Sequence, residues 1–166
     1  MKAFTAIVSV LVSLWLHQLA HACSCMKEPT VEASLENENI DYVFRGYVKR
    51  TIDMGAVSIN EPKYYTVRVW RVYKGCTFSN ATSIVLTTAG NSGLCGLSLE
   101  LNENYVFSGR SLPANAEVVK KAQEKNPKIV TNEMVRVALC DFNAEFLSLS
   151  KAEKDLVRKQ QNICKK

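Results

Sequence analysis

Histidine is missing from almost the whole chain. The two histidines, His17 and His21, both lie within the first 22 residues, and we expect those residues to be removed on export. Without histidine, Ser-His and Cys-His catalytic pairs and every histidine-ligated metal site are excluded from the mature protein. Carboxylate chemistry stays formally open, but Glu32, Glu36 and Glu38 are scattered on a segment expected at the surface rather than paired. The sequence therefore favours a protein that is not an enzyme.

The sequence has one long apolar segment, at its N-terminus, and no second one follows it. Lys2 supplies a positive charge, the run from Ala3 to Leu16 is mainly apolar, and Ala20-His21-Ala22 fits the small-x-small pattern of a cleavage site. The run is shorter than the roughly 20 residues that cross a bilayer, and no stop-transfer charges follow it. We expect residues 1–22 to be a signal peptide and residues 23–166 to be a secreted domain without membrane insertion.

The C-x-x-C pair that many zinc sites use is absent as well. All six cysteines follow the expected cleavage site: Cys23, Cys25, Cys76, Cys95, Cys140 and Cys164. An even number in an exported chain indicates three disulfides, whose connectivity the spacing leaves open. The 144 residues after cleavage suffice for one domain with its own core. Removal of Lys2 lowers the net charge from +5 to +4, a mild surplus that is commonly solvated.

No linker, repeat or low-complexity tract divides the chain, and its patterns are those of a β-rich domain. Five segments alternate between apolar and polar residues as half-buried strands do: Asp41 to Arg50, Tyr64 to Tyr73, Ser83 to Thr88, Glu103 to Arg110 and Ile129 to Cys140. Five short strands with a few helices predict a small closed barrel such as the OB-fold. The predicted fold is mainly β, with helices packed outside a five-stranded barrel and disulfides stabilising it.

The alternation also assigns faces. The residues expected in the core are Tyr65, Val67 and Val69 of the second strand and Val135, Val137 and Leu139 of the last. Those expected on the outer face are Thr66, Arg68 and Arg136. Trp70 lies between Arg68 and Arg71, as in surfaces that bind single-stranded nucleic acid. Packing is the favoured role of an aromatic on such a strand, and we expect no nucleic-acid partner.

Helical signals lie between and beyond the strands. Thr30 to Asn37 is predicted to form a short helix, and Pro113 to Lys125 a second one with proline in its first turn. Ser150 and Glu153 form a capping-box pattern at the start of a third helix. In that helix Leu156 and Ile163 lie two turns apart on one face.

Cys23, Ser24 and Cys25 would begin the mature protein. Side chains alternate in an extended strand, so the two cysteines would point into the domain and Ser24 outward. Two bridges around one residue would hold a terminus that is usually frayed. The simpler explanation is that they pin the first strand to the barrel. The other is chelation, because a rigid first residue can offer its amine and carbonyl to a catalytic zinc that keeps one position open.

The sequence resembles a known family, the tissue inhibitors of metalloproteinases. The matching segments, in order, are Cys23-Ser24-Cys25, Val43-Phe44-Arg45-Gly46, Asn91 to Leu99, Leu139-Cys140-Asp141-Phe142, and Leu147 to Cys164. Each segment by itself is weak evidence for the resemblance. Together, in this order and beginning at the expected cleavage site, they cover nearly all of the mature chain.

The resemblance implies a netrin-like, OB-like fold and the inhibition of secreted or cell-surface zinc metalloproteinases by a monomer. No cofactor of its own is implied, since the zinc belongs to the protease. The amine and carbonyl of Cys23 would bind that zinc, and Ser24 would enter the specificity pocket beside it. A side chain as small as that of Ser24 suggests broad rather than sharp selectivity. The other residues implied to contact the protease are Cys25, Met26, Asn91, Ser92, Gly93 and Leu94.

The resemblance also implies disulfides between Cys23 and Cys95 and between Cys25 and Cys140. Cys76 and Cys164 then remain and are paired by elimination. This is a departure, because the family usually has a third cysteine soon after the second, whereas Cys76 stands at the end of the second main strand. The vertebrate members carry a further disulfide-rich subdomain, and the resemblance covers the N-terminal domain only. The segment from Pro113 to Pro127 looks like an insertion, and its sequence suggests no role.

Asn80-Ala81-Thr82 is a sequon, so Asn80 is a candidate for N-glycosylation.

The alternative function is a secreted netrin-like module that binds a receptor or an immune signalling protein without inhibiting a protease. The shifted cysteine favours that alternative because it marks divergence from the family.

Overall fold

The computed structural model describes residues 23–55, 58–75, 82–129 and 132–160. Its strands are β1 (Tyr42–Thr51), β2 (Lys63–Lys74), β3 (Ser83–Thr88), β4 (Asn104–Pro113), β5 (Glu133–Arg136) and β6 (Asn143–Glu145). Its helices are α1 (Val31–Glu36), α2 (Ala116–Lys125) and α3 (Lys151–Lys159). The signal segment, Cys76, Asn80, Ile163 and Cys164 lie outside these ranges, so the predictions made for them stay predictions.

The strands close into a barrel. Strand β1 pairs antiparallel with β2, β2 with β3, and β4 with both β5 and β1. The parallel pair of β3 with β5 completes the circle. β6 adds to the first half of β4 as a sixth strand. This architecture confirms the predicted five-stranded OB-like barrel.

Alternating side chains fill the interior of the barrel. Phe44 and Phe107 are fully buried, with ring centroids 5.4 Å apart. The predicted core residues of β2 are buried, as are Val135 and Val137. Thr66 faces outward as expected, yet it is only 1% exposed. Its cross-strand neighbour Val85 packs under α2, which covers this side of the barrel.

The helix starts follow local capping rules. The Thr30 side chain accepts a hydrogen bond from the Ala33 N–H, and Ser150 and Glu153 form the predicted capping box. The expectation that Pro113 opens the second helix was wrong. Pro113 is the last residue of β4 and pairs with Glu133, and Asn115 caps α2 instead.

Two other expectations at the end of the barrel were wrong. The last strand ends at Arg136, and Leu139 is 40% exposed rather than in the core. The chain turns after Val137, where the Asp141 carboxylate accepts a hydrogen bond from the Ala138 N–H at 2.8 Å. The sequence also did not predict β6, because three residues are too few to show an alternating pattern.

Candidate functional site

Two disulfides attach residues 23–25 to two loops of the barrel. Cys23 is bonded to Cys95, 72 residues later, and Cys25 to Cys140, 115 residues later. These are the two pairs that the resemblance implies. In each, the Cα atoms are 5.3 Å apart. The sulfurs of Cys23, Cys95 and Cys140 all lie within 4.8 Å of one another, so the bridges stand side by side and hold both ends of the segment.

Exposure alternates along this segment. Cys23 and Cys25 are half-buried, whereas Ser24 between them is exposed. Met26 is fully exposed, with a relative accessibility of 102%. The structure therefore presents Ser24 and Met26 to solvent and turns the two cysteines toward the domain.

The loop that holds Cys95 is itself tightly folded. Asn91 caps a single 3-10 turn (Ser92–Leu94) by accepting a hydrogen bond from the Leu94 N–H at 3.0 Å. The Asn91 carbonyl accepts another from the Gly96 N–H at 2.8 Å. Cys95 has a left-handed backbone (φ 61°), which non-glycine residues seldom adopt. The turn thus sets the direction from which Cys95 reaches Cys23.

Further hydrogen bonds join this loop to its neighbours. The Asn91 amide donates to the side-chain oxygen of Asn60, in the connection between β1 and β2, at 2.6 Å. The Leu139 N–H donates to the Cys95 carbonyl at 2.8 Å, so the two loops that receive the disulfides are also bonded to each other. We call the edge formed by residues 23–26, 91–95 and 139–140 the N-terminal ridge.

Apolar side chains stand exposed along the ridge and beside it. Leu94 is 52% exposed, Leu139 40%, and Ile59, next to Asn60, 81%. A groove of about 1000 Å³ runs between the β1–β2 connection and the loop after β3, with Ile59 and Leu139 in its lining. Exposed apolar side chains grouped on one edge mark a surface that contacts another molecule.

The Cys23–Cys95 disulfide places residues 23–25 beside the loop of residues 91–94, and three further residues lie next to that loop: Ile59, Asn60 and Leu139. Leu139 belongs to a motif noted in the sequence, but its alternation with Val137 had placed it in the core. Ile59 lies in a polar connection, and a single isoleucine there is only a weak sequence signal for a contact surface. No sequence signal identifies Asn60, because its bond to Asn91 joins residues far apart in the chain.

Comparison with known families gives the deciding observation. The model of the family described as tissue inhibitor of metalloproteinase matches residues 21–165. This chain belongs to that family. No curated protein matches the sequence at a significant level. Membership in the tissue inhibitor of metalloproteinase family suggests a non-enzymatic protease inhibitor with metalloproteinases as partners, and members are generally secreted. Among the described residues, no helix has the length and apolar character needed to cross a membrane.

Three clustered sulfurs could suggest a metal site in this chain, but their oxidation state argues against one. Cys23, Cys95 and Cys140 are all engaged in disulfides. The thiolate is the form of cysteine that binds metals, and a disulfide sulfur is not a thiolate. Any contact of these three cysteines with a metal would therefore use their main-chain atoms.

Asp141, next to Cys140, stabilises the turn that leads to this cysteine by its hydrogen bond with the Ala138 N–H. Burial raises the pKa of its carboxyl, against the opposing effects of the Ala138 N–H and of Arg110 and Arg136. The folded state therefore holds the proton more tightly than the unfolded chain. Ionisation costs stability, and this cost is complete once the pH lies above the folded-state pKa.

This gives a prediction for two variants. Asp141→Asn keeps an acceptor for the Ala138 N–H and has no charge to bury, so its free energy of unfolding at pH 7 should match or exceed that of the parent. Asp141→Ala leaves that N–H without its partner and should lose about 1–3 kcal/mol. Urea unfolding at pH 7 measures both. Equal stability of the two variants would contradict the role given to this hydrogen bond.

Proposed function

We propose that the mature protein inhibits zinc metalloproteinases by placing the α-amine and carbonyl oxygen of Cys23 on the catalytic zinc of the protease. Family membership supports inhibition as the activity, and the position of Cys23 supports this mechanism. A catalytic zinc keeps one coordination position for water or substrate. The amine and carbonyl of one residue form a five-membered chelate ring that would displace this water and leave the protease without its nucleophile.

The chemistry requires a free, neutral amine. Cleavage between Ala22 and Cys23 supplies the free amine. An α-amine has a pKa of about 7.7–8, so losing its proton near neutral pH costs only about 1 kcal/mol. Zinc binding readily exceeds that cost.

The observation that carries the proposal is the pair of disulfides on either side of one exposed residue. A free terminus would have to be ordered when it binds, and this ordering would reduce the affinity. Here Cys23 and Cys25 are each joined by a disulfide to a different loop, and a main-chain hydrogen bond joins the two loops to each other. The chelating residue is therefore held in place before the protease arrives.

The other residues of the N-terminal ridge would also contact the protease in this complex. Ser24 projects between the two cysteines and would enter the specificity pocket beside the zinc, where its small side chain favours breadth over selectivity. Cys25 and Met26 would continue along the protease cleft. The loop of Asn91, Ser92, Gly93 and Leu94 lies beside residues 23–25 and would contact the rim of the cleft.

The direct test uses the protein secreted from cells, with its first residue established by N-terminal sequencing. We expect the sequence to begin at Cys23. We also expect this form to inhibit the catalytic domains of several matrix metalloproteinases, each at a ratio of one to one, and to leave a serine protease unaffected. A folded protein that begins at Cys23 and inhibits none of them would refute the proposal and favour the alternative of a non-inhibitory binding module.

A further inference from the structure

Helix α2 lies in the segment from Pro113 to Pro127, whose sequence suggests no role. Its residue Val118 is 1% exposed and belongs to one buried apolar cluster with Ile52, which directly follows β1. Met54 and Tyr64, on opposite sides of the β1–β2 connection, pack against the same cluster. The apolar face of α2 therefore meets both ends of this connection.

Hydrogen bonds hold the same ends in place. The Lys121 ammonium of α2 donates to the Asp53 carbonyl at 3.1 Å. The Ile52 N–H donates to the Tyr64 carbonyl at 2.8 Å, which joins the two ends to each other. The Asp53 carboxylate accepts a hydrogen bond from the Gly55 N–H at 2.8 Å. The path of the connection away from the barrel is thus held from the side of α2.

The far part of the connection lies against the loop that carries Cys95. The Asn91 side-chain amide donates to the Asn60 side-chain oxygen at 2.6 Å. A Cβ atom on Gly90 would collide with the carbonyl oxygens of Ile59 and Glu61, so the two main chains are in close contact. The connection therefore touches α2 at its base and the N-terminal ridge at its far part.

The contact with Asn60 fixes the direction of the Asn91 amide. The Asn91 oxygen accepts a hydrogen bond from the Leu94 N–H, so its NH2 group must face the other way, where the Asn60 oxygen accepts from it. Without Asn60 this amide would be free to rotate, and the cap on the turn would be lost part of the time. That turn leads into Cys95, which is bonded to Cys23.

We propose that α2 positions the N-terminal ridge from a distance. Through Lys121 and the β1–β2 connection it holds Asn60 on the side chain of Asn91, and the turn that Asn91 caps holds Cys23. A segment ordered beforehand loses less freedom on binding, so this positioning favours affinity for a partner. The effect on inhibition rests on the proposed function, whereas the positioning itself does not. Lys121 and Asn60 act through other residues and are positioning residues.

Amide hydrogen exchange of Leu94 and Gly96 measures the order of the turn without any protease. Both N–H groups donate to Asn91. In Asn60→Ala we expect both to exchange about threefold to tenfold faster, the range for the loss of one net hydrogen bond. Asn60→Asp keeps an oxygen acceptor for the Asn91 amide and should stay within about twofold of the parent.

The same measurement tests the link to α2. Lys121→Glu places a carboxylate near the Asp53 carbonyl and should speed exchange of Leu94 and Gly96 about threefold. The control is Lys120→Glu, an exposed neighbour on α2 with the same change in charge, which should have no effect. If Lys121 acts through Asn60, the double variant Asn60→Ala, Lys121→Glu should exchange no faster than Asn60→Ala alone.

The inhibition constant for a matrix metalloproteinase should rise about threefold to tenfold in Asn60→Ala and in Lys121→Glu, and stay within about twofold in Asn60→Asp and Lys120→Glu. Thermal unfolding verifies that each variant is folded. Unchanged exchange in Lys121→Glu, multiplied effects in the double variant, or faster exchange without weaker inhibition would each overturn the proposal. If the parent inhibits no protease while exchange follows the expected pattern, the positioning stands and the proposed function alone is refuted.

Discussion

One alanine added in front of Cys23 is expected to weaken inhibition of a matrix metalloproteinase by at least about 100-fold, or about 2.7 kcal/mol. The added residue turns the amine of Cys23 into an amide, whose nitrogen lone pair is delocalised and cannot bind zinc. It also places an extra residue where the protease cleft must approach the ridge. The inhibition constant of the two forms, measured against the same catalytic domain, gives the result.

The matched control changes an exposed neighbour and leaves the amine free. Met26→Ala removes a fully exposed side chain of the same segment, and we expect it to change the inhibition constant by less than about tenfold because no zinc ligand is lost. Thermal unfolding of the extended form should match that of the parent. If the extended form inhibits as well as the form beginning at Cys23, the amine is not a zinc ligand.

Removal of the Cys25–Cys140 bridge is expected to have the second large effect. In the double variant Cys25→Ala, Cys140→Ala, the free energy of unfolding should fall by about 2–5 kcal/mol, because a bridge that closes so long a loop strongly restricts the unfolded chain. The bridge spans 115 residues. Urea unfolding measures this loss.

The same variant separates the two explanations for the bridges. If the bridge also orders the chelating residue, inhibition should weaken at least about tenfold even under conditions in which the variant is folded, since Cys23 is then held by one bridge only. A variant that loses stability but keeps its inhibition constant would show that the bridge only pins the first segment to the barrel. Trp70→Ala, away from the ridge, should leave inhibition unchanged.

The barrel could be predicted from the sequence because its strands are long enough for their alternation to be recognised. β1, β2 and β3 were placed to within one residue of their observed ends. β6 could not be predicted, since three residues show no alternation and its pairing with β4 joins segments far apart in the chain. The Phe142 carbonyl, for example, accepts a hydrogen bond from the Ser108 N–H at 2.7 Å.

The candidate site likewise contains residues that the sequence could identify and others that it could not. Cys23, Ser24 and Cys25 stand out in the sequence by their spacing and by their position after a cleavage pattern. Asn60 and Leu139 do not, because they join the ridge through bonds to Asn91 and Cys95 that only the folded chain contains. A position that was expected to be internal, that of Leu139, instead adds an apolar contact to the ridge.

The long sequence separation within the two disulfides has a consequence for biosynthesis. Translation delivers Cys23 and Cys25 early, but their partners follow 72 and 115 residues later. Neither cysteine can form its native bridge until at least β1, β2 and β3 have entered the oxidising compartment, and the partner of Cys25 follows only after β5. Oxidative folding therefore completes the N-terminal ridge late, and under the proposed mechanism a truncated or reduced nascent chain would not yet hold Cys23 in place for a protease zinc.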